Sequence, residues 1–254
     1  MRATRRRAPM TAKRRVKPVQ QPIDVYFWPT PNGWKVSIML EECGLPYNVV
    51  PVNIARGEQF APSFLKISPN NRMPAIVDPD GPGGRPIAVF ESGAILQYLG
   101  RKTGRFYPQS ERARVAVDEW LFWQMANLGP KAGEANHFRR YAPEQLPYAI
   151  ERFSNEMHRL YGVMNTRLTG RRFLAGQYSI ADMACVGWVR HAERQIEREG
   201  GKAFAEFPQL TRWLDTVRAR PAVQRGMRIR VEEASHVDVH DPKVRAVLFG
   251  QRAK

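Results

Sequence analysis

The residues best suited to chemistry fall in three short clusters, at 29–33, 70–74 and 91–92. Pro29-Thr30-Pro31-Asn32-Gly33 places a hydroxyl and an amide in a segment that no strand could continue through. Taken alone, Pro-x-Asn-Gly makes a good turn with no ligand at all. Asn70-Asn71-Arg72-Met73-Pro74 joins a cation, placed to favour an anion, to an X-Pro bond that leads into an apolar run. Glu91-Ser92 stands just before a helical pattern. A helix N-terminus offers unpaired N–H groups and partial positive charge, so this pair can cap the helix or dock a ligand carboxylate with the Ser92 hydroxyl.

Other reactive residue types stand alone. Cys43 and Cys185 are too few and too far apart for a disulfide framework or a four-ligand zinc site, so no metal is expected. Cys43 completes an apolar helical stripe and Cys185 sits in Ala184-Cys185-Val186, which reads both thiols as buried structural groups. His137, between Asn136 and Phe138, has no metal-ligand company and is a candidate only for lining a cleft. Trp28 and Trp34 flank the 29–33 turn, either as a flat-sided apolar pocket or as core.

These clusters need elements to position them. Ile23 to Trp28 is β-rich and leads into the turn; Val36, Met39, Leu40 and Cys43 then fall at i, i+3, i+4 and i+7, a helix that Gly44 and Pro46 end. Tyr47 to Val52 reads as a second strand, giving a crossover long enough for parallel pairing. A short helix passes through Gly57-Glu58-Gln59-Phe60. Ala75 to Val77 and Ile87 to Phe90 flank the Asp78–Gly84 turn as an antiparallel hairpin, and a helix runs from Glu91-Ser92-Gly93 to about Thr103. The order β-α-β-α-β-β-α is the thioredoxin arrangement. Residues 23–104 therefore read as an α/β thioredoxin-like domain.

After a linker at 104–110, the strand signals vanish, and residues 111–230 read as an all-α domain. Leu146, Ile150, Phe153, Met157, Leu160, Met164 and Leu168 form one apolar stripe of a core helix. Ser179-x-x-Asp182 predicts a capping box at the start of another. Residues 231–254 form an extension whose shape the sequence does not reveal.

Tyr26 to Gly33, Ser68 to Ile76 and Phe90 to Ile95 closely resemble bacterial Nu-class glutathione transferases, also described as glutathione-dependent disulfide-bond oxidoreductases and related to the yeast nitrogen-regulatory prion protein. Trp120 to Gln124 and Tyr148 to Phe153 resemble the same family's C-terminal domain. The likeness runs from about residue 23 to 228. It implies the glutathione transferase fold and glutathione as substrate or bound ligand. The Thr30 hydroxyl and the Asn32 amide would hold or polarise the glutathione sulfur, lowering its pKa toward the nucleophilic thiolate. A cis Met73-Pro74 bond would turn the Met73 backbone toward the cysteinyl part, and Glu91 would face the γ-glutamyl ammonium beside Ser92. Gln59 would reach the glycyl end. Arg152 and Arg159 lie seven apart on one predicted helix face, so Arg159 could cap a second glutathione carboxylate, although a solvated basic face explains the pair as well. The implied reaction is reduction of small disulfides or attack on an electrophilic co-substrate by a homodimer; the alternative is a non-catalytic glutathione-binding or regulatory protein.

Composition fits this reading. With 43% hydrophobic residues and 26 aromatic residues the chain can build real cores, which excludes disorder throughout. The net charge of +16 suggests nucleic acid, but half of it sits in the acid-free residues 1–22, leaving +8 for the rest. That tail has no aromatic residue to stack on bases, so nucleic acid is not expected as a partner. It also has a basic start without an apolar segment behind it, unlike a secretory signal, and Met10 offers a second possible start. No apolar run approaches the roughly 18 to 20 residues of a membrane span. Low cysteine usage makes the cytoplasm the expected compartment.

Overall fold

A computed structural model describes residues 21–229 and 237–251, so the basic tail up to residue 20 lies outside the described residues. Strands β1 (Ile23–Phe27), β2 (Tyr47–Pro51), β3 (Ala75–Asp78) and β4 (Ile87–Phe90) form one sheet in the order β2-β1-β3-β4. β1 and β2 are parallel; β1–β3 and β3–β4 are antiparallel. Helix α1 (Pro31–Cys43) makes the predicted crossover, ended by Gly44 in the left-handed conformation at φ 65°. The segment between β2 and β3 holds a 3₁₀ turn (Glu58–Phe60) and the short α2 (Pro62–Leu65). Helix α3 (Ser92–Thr103) completes the thioredoxin-like unit.

From Glu111 onward the described chain is helical: α4 (Glu111–Trp123), α5 (Gly129–Asn136), α6 (Pro147–Leu168), α7 (Ile180–Arg198), α8 (Pro208–Arg218) and α9 (Pro221–Arg228). Two π-helical turns, Gln124–Leu128 and His137–Tyr141, flank α5. The capping box forms as predicted, and Asp182 does more than cap. Its carboxylate accepts from the backbone N–H groups of Ser179 and Leu174 and from the Trp213 indole at 2.8 Å. Burial pushes its pKa up to about 6 despite those donors.

The α6 stripe is core in its C-terminal half only. Met157, Leu160, Met164 and Leu168 are buried, whereas Leu146 precedes the helix and is exposed. Phe153 is half-buried and stacks on Phe138 of the second π turn. The extension contributes α10 (Pro242–Phe249), whose Phe249 packs on His137 and Tyr141.

The two domains meet at α1. A Cβ added to Gly187 of α7 would stand 2.8 Å from the Pro31 carbonyl oxygen, and one added to Gly226 of α9 2.7 Å from the Ile38 nitrogen. Only glycine lets those backbones come so near. The Ser37 hydroxyl donates to the Gly226 carbonyl at 2.9 Å, and Arg220 clasps Glu42 through two bonds of 2.6 and 2.9 Å.

Candidate functional site

A cleft of about 390 Å³ lies where the α1, β3 and α3 starts face α5 and the first π turn. Asn32, Arg72, Met73, Pro74, Glu91 and Ser92 line it, so the fold brings the three sequence clusters to one place. At the first cluster Thr30 caps α1, its hydroxyl oxygen accepting from the Gly33 N–H at 3.2 Å while the hydroxyl points at the Met73 sulfur, 4.0 Å away. A side chain at Gly33 would meet the Trp28 carbonyl oxygen at 2.4 Å, so this turn needs glycine. Asn32 accepts a hydrogen bond from the Trp188 indole N–H at 3.0 Å. An indole only donates, which fixes the amide oxygen on Trp188 and leaves the amide N–H₂ for the cleft.

The Met73-Pro74 bond is cis, and the Ser68 hydroxyl ties down the loop before it by donating to the Arg72 carbonyl at 2.7 Å. Arg72 itself donates to Asn71 and, at 2.7 Å, to Gln251 just beyond α10. Glu91 occupies φ 66°, ψ 116°, a conformation that costs a non-glycine residue about 1–3 kcal/mol and that clusters at ligand sites. Its carboxylate receives the Asn70 amide at 3.2 Å.

Beneath Ser92 lies a residue that sequence reasoning missed. Lys35 of α1 is 1% exposed, and its ammonium group donates to Gln124 Oε1 at 2.6 Å and to Ser92 Oγ at 3.3 Å, with the Met125 sulfur also 3.3 Å away. Burial lowers its pKa to about 7, with Cys185 and Glu91 pulling the other way. Gln124 is fully buried, and its Nε2 has no hydrogen-bond partner among the described residues. A lysine inside an amphipathic helix reads as a solvated residue, and Gln124 lies 89 positions away, so no local signal pairs them.

Several candidates sit elsewhere. Gln59 is 2% exposed, donates to the Ile54 carbonyl at 3.2 Å and does not line the cleft. Its place in a tight 3₁₀ turn points the amide inward instead of toward a ligand. Arg159 is exposed and bidentate to Glu156 one helical turn back, at 2.9 and 2.8 Å, away from the cleft lining. Of the tryptophans, Trp28 belongs to the core and Trp34 packs against it; Trp188 is the indole at the cleft. His137 faces Phe249 and Phe138. Cys185 is completely buried with its thiol pKa pushed far up, and half-buried Cys43, bonded to Thr103, is also raised by burial. Neither is poised as a thiolate.

The glutathione S-transferase N-terminal domain family matches residues 30–102, and the C-terminal domain family residues 138–221. The chain is 49% identical over 203 residues to the Escherichia coli disulfide-bond oxidoreductase YfcG, covering 79% of this chain and 92% of that protein. It is 39% identical over 220 residues to YghU of the same organism, also named a disulfide-bond oxidoreductase, covering 82% and 74%. Among solved structures, a Pseudomonas putida glutathione transferase with one glutathione disulfide per subunit superposes with a TM-score of 0.79 at 42% identity, over 83% of this chain and 92% of that one. A Burkholderia graminis glutathione transferase with two glutathione molecules per subunit gives 0.78 at 44%, over 81% and 87%. With both domain families matched, two oxidoreductase relatives and a cleft that joins all three clusters, the chain belongs to the glutathione transferase family.

Proposed function

We propose that the protein is a glutathione-dependent disulfide-bond reductase and transferase in which bound glutathione supplies the reactive sulfur. The observation that carries this reading is the pairing of a cysteine-free turn at the cleft with two protein thiols that lie away from it, Cys185 fully buried and Cys43 half-buried, both with pKa raised by burial. The α3 N-terminus and Ser92 hold the γ-glutamyl carboxylate, with Lys35 adding positive charge from below, and Glu91 meets the ammonium group. The Met73 backbone pairs with the cysteinyl part. Thr30 and Asn32 donate to the sulfur and favour its thiolate. That thiolate attacks one sulfur of a small disulfide, the S–S bond breaks, and the departing thiolate takes a proton. A second glutathione thiolate then attacks the mixed disulfide and releases the second thiol, so two glutathiones become one glutathione disulfide as the substrate gains two electrons and two protons. The protein contributes positioning and electrostatics.

The test is a coupled assay of glutathione oxidation with hydroxyethyl disulfide. The Cys43→Ala/Cys185→Ala protein should keep its turnover and lose about 1–2 kcal/mol of stability, whereas Thr30→Ala should lose turnover by about a hundredfold. A folded but inactive cysteine-free protein refutes the mechanism.

The active form is a homodimer. Phe122 of α4 is 62% exposed and Phe90 of β4 37%, apolar surface that a two-fold partner would cover. Sedimentation at micromolar concentration should give the dimer mass, and monomer alone counts against it. Two unpaired thiols suit the reducing cytoplasm as its compartment.

A further inference from the structure

Two spaces flank Trp188, the cleft and a second cavity of about 430 Å³ inside the helical domain. That chamber is lined by the Tyr161, Phe204 and Trp188 rings and the Met157 thioether, and at its wall Glu199 is held by Arg139 and Arg140 at 3.5 and 2.8 Å. The cleft differs in keeping an ionisable amine, Lys35, beneath its floor.

The hydrogen bonds of Lys35 have a direction. An ammonium group donates and cannot accept. Its bond to Ser92 Oγ at 3.3 Å therefore uses a lone pair of that oxygen and turns the Ser92 O–H away from Lys35. Among the described residues the other partner of that hydroxyl is the Met125 sulfur at 3.7 Å, a weak acceptor, so the O–H is available to an anion in the cleft. Gln124 is set in the same way. Its Oε1 takes a Lys35 N–H at 2.6 Å, which leaves Nε2 as an idle, fully buried donor in the cleft lining. A neutral amine would reverse the polarity at Ser92, because its lone pair can accept the hydroxyl proton and hold the O–H inward.

The surroundings hold the Lys35 proton loosely. Burial brings its pKa down to about 7. Two groups pull it back up: Cys185 of α7, which is itself completely buried with its pKa far raised and so stays an uncharged thiol, and Glu91 at the start of α3. Across the cleft stand Arg72, before β3, and Glu134 of α5, while the π turn presents the neutral Gln124 and Met125. On α9, Arg220 and Arg225 are taken by Glu42 and Glu41 near the end of α1. Among the described residues no carboxylate bonds to Lys35 itself.

On the glutathione reading of the cleft, on which this rests, we propose that Lys35 is a positioning residue that aims the Ser92 hydroxyl, and that the γ-glutamyl carboxylate binds with uptake of a solvent proton onto Lys35. The ammonium form is the one that turns Ser92 outward, so the carboxylate selects it. The ligand's negative charge then holds the proton in place. Linkage makes the effect reciprocal: the bound carboxylate raises the Lys35 pKa, and glutathione binds less tightly as pH rises through 7.

The probe is S-methylglutathione, which has no thiol to ionise, titrated calorimetrically into the full-length protein at pH 8 in phosphate and in Tris, two buffers of different ionisation enthalpy. The difference in heat counts protons. About 0.7 proton should be taken up per site, with affinity falling about fivefold from pH 7 to pH 8. Lys35→Met should bind more weakly, with uptake near zero and a flat profile over the same range, and Ser92→Ala should keep about half the uptake or less. The wild-type count decides the matter if Lys35→Met does not fold. Wild-type binding without proton uptake, or undiminished uptake in Lys35→Met, overturns the role of Lys35 and leaves the glutathione reading standing. Absence of binding by both S-methylglutathione and glutathione overturns the glutathione reading, and the role of Lys35 with it.

Discussion

The two cavities on either side of Trp188 are similar in size and opposite in construction. The cleft is walled by polar groups in costly settings: a lysine whose pKa burial draws down to about 7, a glutamine with an idle Nε2, a glutamate held at positive φ. The chamber is walled by rings and a thioether, with one idle amide and its charges kept at the edge. A folded chain gains nothing by itself from a buried, partnerless amide or a strained glutamate, so Gln124 and Glu91 together mark the cleft as a place where stability has been given up for a polar ligand. The chamber gives up packing instead.

That contrast can be broken first at Lys35. The unfolded chain keeps this proton up to its ordinary pKa of 10.5, the folded chain only to about 7, so above pH 7 unfolding takes up a proton. Stability from this group is therefore full at high pH and lost as pH falls through 7. Chemical denaturation of wild type should show about 3 kcal/mol of extra stability on going from pH 7 to about 9.5, relative to Lys35→Met, whose curve lacks that slope. Equal slopes would mean the lysine is not held in a desolvated site. Next come Glu91→Ala and Ser92→Ala, each expected to weaken glutathione by tenfold or more, about 1.5–3 kcal/mol, in a calorimetric titration. Unchanged affinity in both, with the fold intact by circular dichroism, removes the carboxylate end of the site. The smallest effect belongs to Arg159→Ala, which should leave glutathione affinity within about twofold, since that guanidinium is exposed and already paired with Glu156. A large loss there would relocate the second carboxylate pocket onto α6.

Much of the fold was legible because it rests on local rules. The β1 and β4 runs, the Gly44 stop and the Ser179 box all follow from residues within a few positions of one another, and the cis Met73-Pro74 bond from the family resemblance of the motif around it. Glu91 and Ser92 read locally as ordinary capping and became site candidates only when joined to the motif about twenty residues earlier; the fold sets both on the same cleft. The parts that escaped depend on distance or on rare geometry. Trp188 is 156 residues from Asn32, and Gln124 reaches Lys35 from a π turn that no periodicity announces. The α6 stripe overreached because spacing marks a face without saying where along the helix its partners stop. Gln59 came from resemblance and Arg159 from its spacing to Arg152; the Gln59 amide N–H₂ goes to the Ile54 carbonyl and the Arg159 guanidinium to Glu156.

The glycine contacts on α1 also bear on how the molecule opens. Gly187 and Gly226 press helical-domain backbone against the start and the middle of this one helix, and Ser37 bonds across to Gly226. The helix that carries Asn32 and Lys35 cannot loosen without parting the two domains. Its amide protons should accordingly exchange with solvent only through global unfolding, as slowly as those of α7, although α1 belongs by topology to the smaller domain. The 29–33 turn should thus inherit the rigidity of the larger domain's core, and thermal unfolding should melt the chain from β1 to α9 as one cooperative unit.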